Sequence, residues 1–250
     1  MQQPRRTGRP QRPRENNGPL WLVMLAVLVF AAALFVLVSP QGAGLRDALT
    51  GRQIANEAAT PRAAVGPYTI VVDAGHGGFD AGTQGPETGI LEKDLNLSIA
   101  LLLQKELESR GHTVIMTRRD GEAVGASKEA DLQQREAVIA GTPADALISI
   151  HQNWYEGAAS GPQVFYYPSS ERGRAMAESL QSVLNQKLNI KEPRTVNAGN
   201  YRLLKAGAAP AVIVECGFLS DPTEERLLVQ EAYQRRIVSA IADGLEAYLG

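Results

Sequence analysis

The 250-residue sequence has little cysteine, little histidine and no surplus of positive charge beyond its first residues. Its one cysteine, Cys216, rules out an internal disulfide, and its position in an apolar run predicts a small buried core residue. The formal charge is −2, and residues 20–250 carry −6, because residues 1–19 contribute +4. Nucleic-acid-binding domains present basic surfaces. We therefore expect no nucleic-acid partner.

The first 66 residues differ in composition from the rest. Residues 1–19 are rich in arginine and proline, and they predict a disordered, basic cytoplasmic tail. Residues 20–38 contain no charge and would span about 28 Å as a helix, close to the thickness of a bilayer core. This length favours an uncleaved signal anchor over a cleaved signal peptide. The positive-inside rule then predicts a single-pass membrane protein, with a linker at 39–66 and a folded domain at 67–250 on the extracytoplasmic side.

The folded part alternates apolar strand-like runs with segments of helical period, which predicts an α/β fold. We expect one domain with a mostly parallel or mixed twisted sheet and helices on both faces. The predicted helices follow Asp94 and lie near Lys128–Ala140, Glu171–Leu188 and Gln230–Leu249. The predicted strands are Tyr68–Asp73, Thr113–Thr117, Ala146–Ile150, Gln163–Tyr167 and Ala211–Glu215.

Three polar residues mark the ends of predicted strands: His76, His151 and Glu215. Ligands of open α/β sheets bind at the carboxyl ends of the strands, so these side chains are expected to converge. A carboxylate within an apolar strand is costly unless it has a partner, and Glu215 is therefore either part of a buried ion pair or part of a catalytic site. The remaining histidine, His112, follows Gly111 at a turn and is expected at the surface.

Two histidines and one carboxylate form a common ligand set for catalytic zinc, which keeps a further position open for water. Spacing alone does not decide which carboxylate joins His76 and His151. Glu92 is favoured because it lies just before a predicted helix, where it would be held more rigidly than a loop residue. The carboxylates near His76 in sequence are Asp73, Asp80, Glu87, Glu92 and Asp94.

Two other kinds of site are disfavoured. The glycine-rich run 75–78 has neither the lysine of a Walker loop nor the spacing of a dinucleotide-binding loop, which argues against phosphate binding. Cys216 follows Glu215 directly, and a neighbouring carboxylate raises the pKa of a thiol. A cysteine nucleophile is therefore not expected.

The region from Tyr68 to the C-terminus resembles the zinc-dependent N-acetylmuramoyl-L-alanine amidases, which act on peptidoglycan. Within that family it is most similar to the membrane-anchored, germination-specific amidases that prepare spore-cortex peptidoglycan for muramic-lactam formation. Five segments in order carry the resemblance: Val72–Gly78, Glu92–Leu97, Thr117–Arg118, Ser149–Asn153 and Glu215–Pro222.

The resemblance implies that His76, Glu92 and His151 bind Zn²⁺ and that Glu215 is the catalytic carboxylate. It also implies that the substrate is the amide bond between N-acetylmuramic acid and L-alanine, in the spore cortex or in the vegetative wall. The long inserted helix that covers zinc in division amidases is missing from the sequence before His151. Control of the enzyme's activity would then come from a protein activator or from the time of expression. A zinc peptidase and a catalytically silent peptidoglycan-binding protein are the alternatives.

Overall fold

The computed structural model describes residues 66–250. The expectations for the basic tail, the membrane anchor and residues 39–65 of the linker lie outside this part of the chain. No helix within residues 66–250 is long and apolar enough to cross a membrane.

The described residues form a six-stranded mixed sheet with the order β2-β1-β3-β6-β4-β5. Neighbouring strands are parallel except for β4, which runs antiparallel to β6. The carboxyl ends of β1, β3 and β6 consequently lie at one edge of the sheet. The strands are β1 (Thr69–Ala74), β2 (Thr113–Met116), β3 (Ala146–Asn153), β4 (Gln163–Tyr166), β5 (Asn197–Ala198) and β6 (Ala211–Phe218).

Five α-helices and one short 3₁₀ turn, Leu203–Lys205, connect these strands in the described chain. The second and third helices begin with serine side chains that accept hydrogen bonds from backbone N–H groups, as N-caps do. The helices are α1 (Glu92–Ser109), α2 (Lys128–Gly141), α3 (Glu171–Lys187), α4 (Pro222–Leu228) and α5 (Glu231–Leu249).

Hydrophobic residues cover both faces of the sheet. Alternate residues of β1 point to opposite sides, as the pleat of a strand requires. Ile70 and Val72 join the larger cluster with α1, α3 and α5, whereas Val71 joins a smaller cluster with Ile139 of α2. Cys216 is fully buried in the larger cluster, as its apolar run predicted. The prediction of one α/β domain with a mixed sheet and helices on both faces is confirmed.

Two short elements and one histidine were not predicted correctly. β5 and α4 were not predicted, because both are too short to show a clear hydrophobic period in the sequence. His112 was expected at the surface, but it is 5% exposed. Its ring lies against Tyr68, with centroids 5.8 Å apart, and its Nε2 lies 3.4 Å from Glu246 Oε1. The prediction was wrong because packing against β1 and α5 covers the turn after Gly111.

Helix packing on the larger face gives a stability prediction. Gly244 of α5 lies so close to α3 that a Cβ atom there would come within 2.8 Å of Leu180 Cα, whereas Gly141 of α2 has open space around it. We expect Gly244→Ala to lower the free energy of unfolding by about 1–3 kcal/mol relative to Gly141→Ala, because overpacking a helix contact strains the backbone. Chemical denaturation of both variants measures the difference. Equal stability would show that α3 and α5 move apart without cost.

Candidate metal centre

The sheet topology brings the predicted site residues to one edge. His76 lies two residues beyond the end of β1, and His151 lies within β3, two residues before its end. Glu215 of β6 is the direct register partner of His151. Glu92 is the first residue of α1, so it is held at the start of a long helix rather than in the preceding loop.

His76, Glu92 and His151 form a tight triangle of ligand atoms. Nε2 of His76 lies 3.2 Å from Glu92 Oε1, and Nδ1 of His151 lies 3.1 Å from the same oxygen. One ligand atom from each residue falls within 4.8 Å of the others. The two imidazole rings meet edge to face with centroids 5.0 Å apart. Nitrogen and oxygen atoms gathered in this way fit a zinc ion with three protein ligands.

The Glu92 carboxylate is oriented by hydrogen bonds on both oxygens. Its Oε2 accepts hydrogen bonds from the backbone N–H and the hydroxyl of Thr83, at 3.0 and 3.1 Å. Its Oε1 accepts hydrogen bonds from Gln152 N at 3.1 Å and from Asn96 Nδ2 at 3.3 Å. Burial alone would raise the pKa of Glu92, but its contacts with His151 and His76 hold that pKa well below the usual range. The group is therefore an anion, as a carboxylate that binds a metal must be.

Nearby residues fix the histidine rings. Nδ1 of His76 lies 3.1 Å from Asp80 Oδ2, so the nitrogen that faces away from Glu92 is next to a carboxylate. Such outer carboxylates commonly orient metal-binding histidines. Gly75 leaves room for the other ring, since a Cβ atom at this position would lie 2.2 Å from His151 Nε2. Gly75 of the glycine-rich run therefore allows close packing against His151.

Glu215 differs from the other three residues in its surroundings. Its Oε2 atom is buried and has no hydrogen-bond partner among the described residues. Burial raises the pKa of Glu215 to about 7, and the charge on Glu92 adds to this, while His151 and His76 oppose it. Burial lowers the pKa of His151, but Glu92 and Glu215 reverse this and raise it overall. A carboxylate with a pKa near 7 can both accept and donate a proton at neutral pH.

The four residues line an open cavity of about 400 Å³. Thr83, Lys128 and Trp154 stand around its rim, and the Trp154 ring is 43% exposed. A larger cavity of about 690 Å³ lies between residues 158–161, 188–194 and α5. It contains none of the predicted site residues. The smaller cavity is therefore the one where a bound amide could reach the histidine cluster.

Comparison with known proteins identifies the family of this chain. Residues 70–247 match the N-acetylmuramoyl-L-alanine amidase family. The chain belongs to this family. The matched region includes every strand but the first residue of β1, and it includes all four residues of the candidate site.

Relatives in this amidase family include the probable cell wall amidase LytH of Staphylococcus aureus, which is 37% identical over 182 residues. That match covers 72% of this chain and 58% of LytH, so the chain spans little more than half of that relative's length. A solved structure of the CwlD amidase from Clostridioides difficile, in complex with the GerS lipoprotein, is similar with a TM-score of 0.70 and 34% identity. It covers 73% of this chain and 98% of CwlD.

A second solved structure, an N-acetylmuramoyl-L-alanine amidase from Clostridium difficile 630, has a TM-score of 0.68 and 32% identity. The match covers 73% of this chain and 97% of the chain in that structure.

The structure brings together all four residues that the sequence analysis singled out, and their roles stay predictions. Of the other carboxylates near His76, Asp80 contacts the ring from outside the triangle, while Asp73 is buried beneath the loop. Sequence reasoning missed two buried arginines, Arg118 and Arg135, that contact the same loop. Arg118 belongs to the segment Thr117–Arg118 that carries the resemblance, but the sequence did not indicate a role for it. A charged residue at an otherwise core-facing position of α2 was the available signal for Arg135.

Proposed function

We propose that residues 67–250 form a zinc-dependent hydrolase that cleaves the amide bond between N-acetylmuramic acid and L-alanine in peptidoglycan. The observation that supports this most is that two carboxylates with different surroundings lie at the same site. Glu92 lies between two histidine nitrogens, whereas Glu215 lines the same open cavity and has a buried oxygen without a hydrogen-bond partner among the described residues. Family membership supports the choice of bond.

In this proposal His76, Glu92 and His151 would hold the zinc ion. When bound, zinc polarises a carbonyl group and acidifies water at its open position. Glu215 accepts the proton of the attacking water, because its carboxylate lines the same cavity as the three proposed ligands. Glu215 then returns the proton to the leaving L-alanine nitrogen. The products are a peptide-free muramic acid and a stem peptide with a free amino terminus.

Mass spectrometry of digested peptidoglycan tests the reaction directly. We expect the purified domain to release stem peptides that begin with L-alanine and to leave intact glycan strands. Cleavage between amino acids would instead identify a zinc peptidase. Absence of any cleavage, together with less than about half an equivalent of zinc in the native protein, would indicate a silent peptidoglycan-binding protein. His76→Ala is the control for the metal measurement.

We further propose that residues 20–38 anchor the protein in the cell membrane, with the amidase domain on the extracytoplasmic side. The uncharged stretch and the arginines before it support this orientation. The similarity to the CwlD amidase, solved in complex with the GerS lipoprotein, supports a protein partner for this chain, which we propose to be an activator. The proposed role in spore-cortex maturation follows from the resemblance of the sequence motifs. Protease accessibility of the domain in intact protoplasts tests the orientation. Protection of the domain from the protease would contradict it.

A further inference from the structure

Three consecutive backbone carbonyls precede or belong to His76, and two buried arginines bind all of them. The Ala74 oxygen accepts hydrogen bonds from Arg118 Nε at 2.8 Å and from Arg135 Nη1 at 2.7 Å. The Gly75 oxygen accepts a hydrogen bond from Arg118 Nη2 at 3.0 Å. The His76 oxygen accepts a hydrogen bond from Arg135 Nη2 at 2.6 Å. The end of β1 and the turn after it are therefore held by two planar groups.

This turn needs support because its backbone conformation is unfavourable. His76 has φ of 61°, in the left-handed region that residues with a side chain seldom adopt. Such conformations persist where the surroundings hold them, and they are concentrated at functional sites. In the extended conformation that continues β1, the imidazole would leave the neighbourhood of Glu92. The left-handed turn is what places Nε2 of His76 at 3.2 Å from Glu92 Oε1.

Arg118 connects the turn to the start of α1. All four of its hydrogen bonds go to backbone carbonyls, and one of these is Lys93 O at 2.8 Å, next to Glu92. A buried guanidinium without an ion pair is costly, and burial lowers the pKa of Arg118. A hydrophobic side chain of similar size would stabilise this buried position better than a guanidinium. The presence of an arginine is therefore explained by the carbonyl groups that it binds. It links the segments that carry His76 and Glu92.

Arg135 reaches the turn from α2 on the other face of the sheet. Its Nη1 lies 2.8 Å from Asp73 Oδ1, and its Nε lies 2.7 Å from Asp131 Oδ2. Asp73 also accepts hydrogen bonds from the Thr117 and Ser149 hydroxyls, both at 2.6 Å. Burial alone would raise the pKa of Asp73, but these partners lower it. The carboxylates fix the plane of the guanidinium, which leaves two of its donors for Ala74 and His76.

We propose that Arg118 and Arg135 are positioning residues for His76: together they hold the backbone of residues 74–76 in the left-handed turn that directs this ligand toward zinc. The role rests on the proposed function for the identity of the metal. Neither arginine contacts the substrate cavity through its own donors. Their contribution is the shape of the turn.

Arg135→Lys and Arg118→Lys test this role. Lysine keeps the positive charge but cannot bind two or three carbonyls in one plane. Outer contacts of metal ligands typically change affinity by about 10–100-fold, and we expect a loss of zinc affinity in that range for each variant, measured by competition with a chelator. The visible absorption of the Co²⁺-substituted protein should change as well, because it reports the geometry of the ligands. We expect kcat to fall and KM to stay within about twofold, because the turn affects the metal ligand and not the substrate surface.

Arg110→Lys is the matched control. Arg110 is also partly buried and binds several carboxylates, among them Glu106 and Asp243. It follows the end of α1, about 27 Å from Glu92 along the helix. We expect this variant to keep the zinc affinity and the Co²⁺ spectrum of the wild type, even if its thermal stability falls. Any effect of losing a buried guanidinium as such is thereby separated from the effect on the turn.

The outcomes distinguish this role from the proposed function. Wild-type zinc affinity and an unchanged Co²⁺ spectrum in a folded Arg135→Lys or Arg118→Lys variant would overturn the positioning role, whatever the reaction. A wild-type protein that binds zinc but does not cleave peptidoglycan would overturn only the proposed function. A wild-type protein without zinc would overturn both. If Arg135→Lys does not fold, Arg118→Lys decides, because Arg118 has no carboxylate partner whose charge would be left buried.

Discussion

Glu215→Gln is expected to lower kcat for peptidoglycan hydrolysis by about 10²–10⁴-fold while KM and zinc content stay close to those of the wild type. This is the usual contribution of a general acid or base. Glutamine has nearly the same size and can occupy the same place in β6, but its amide cannot accept the proton of a water molecule. KM should stay close to the wild-type value because the shape of the cavity is preserved. Steady-state kinetics and elemental analysis of the same preparation measure all three quantities.

Glu156→Gln is the control for this variant. Glu156 is exposed in the loop after β3, so the same chemical change occurs near the site but outside the cavity lining. It should leave kcat within about twofold. Loss of zinc in Glu215→Gln would instead assign Glu215 to the ligand set. Full activity of Glu215→Gln would remove it from the mechanism.

The surroundings of Glu215 allow this carboxylate to act as a proton acceptor. Without a metal, burial raises the pKa of Glu215 to about 7. A bound divalent cation would favour the charged form and lower that pKa. The group would then be ionised across the neutral range and ready to accept a proton. Its unbonded Oε2 is consistent with this role, since a structural carboxylate at the same depth would have donors around it.

The fold was largely predictable because its main elements are long and regular. Runs such as residues 70–72 and 146–148 are apolar without interruption, as in strands buried on both faces, and they appear in β1 and β3. The two-residue β5 lacks such a signal, because its pairing with β4 depends on tertiary packing. His112 was misplaced for the same reason. A turn position is exposed by default, and only the packing of Tyr68 and α5 covers this one.

The site was predictable where a strand end marked it. His76, His151 and Glu215 could be grouped because parallel strands end at one edge of a sheet. Glu92 could be favoured but not selected, since five carboxylates follow or precede His76 in sequence. The supporting groups could not be found at all. Arg135 lies 59 residues from His76, and nothing in a single sequence states that its guanidinium reaches back to that carbonyl.

Glu92→Gln is expected to weaken zinc binding by more than about 100-fold and to abolish measurable hydrolysis at limiting zinc. Loss of an outer contact already costs about 10–100-fold in affinity, and Glu92 is the anionic member of the triangle. Its Oε1 stands between His76 Nε2 and His151 Nδ1. A neutral amide supplies less attraction for a dication, and its NH₂ group would compete for the histidine nitrogens. Chelator competition and activity at controlled free zinc measure both effects.

Glu87→Gln provides the comparison, because Glu87 lies in the loop just before α1 and its exposed carboxylate pairs with Arg226 at the surface. We expect it to bind zinc as the wild type does. Glu92→Gln is expected to remain folded, since its amide oxygen can still accept the hydrogen bonds from the backbone N–H and hydroxyl of Thr83, although its NH₂ group can no longer accept the one from Gln152 N. Circular dichroism of the metal-free proteins verifies this. Unchanged zinc affinity in a folded Glu92→Gln protein would exclude Glu92 as a ligand, and Asp80, 3.1 Å from His76, would become the carboxylate to test.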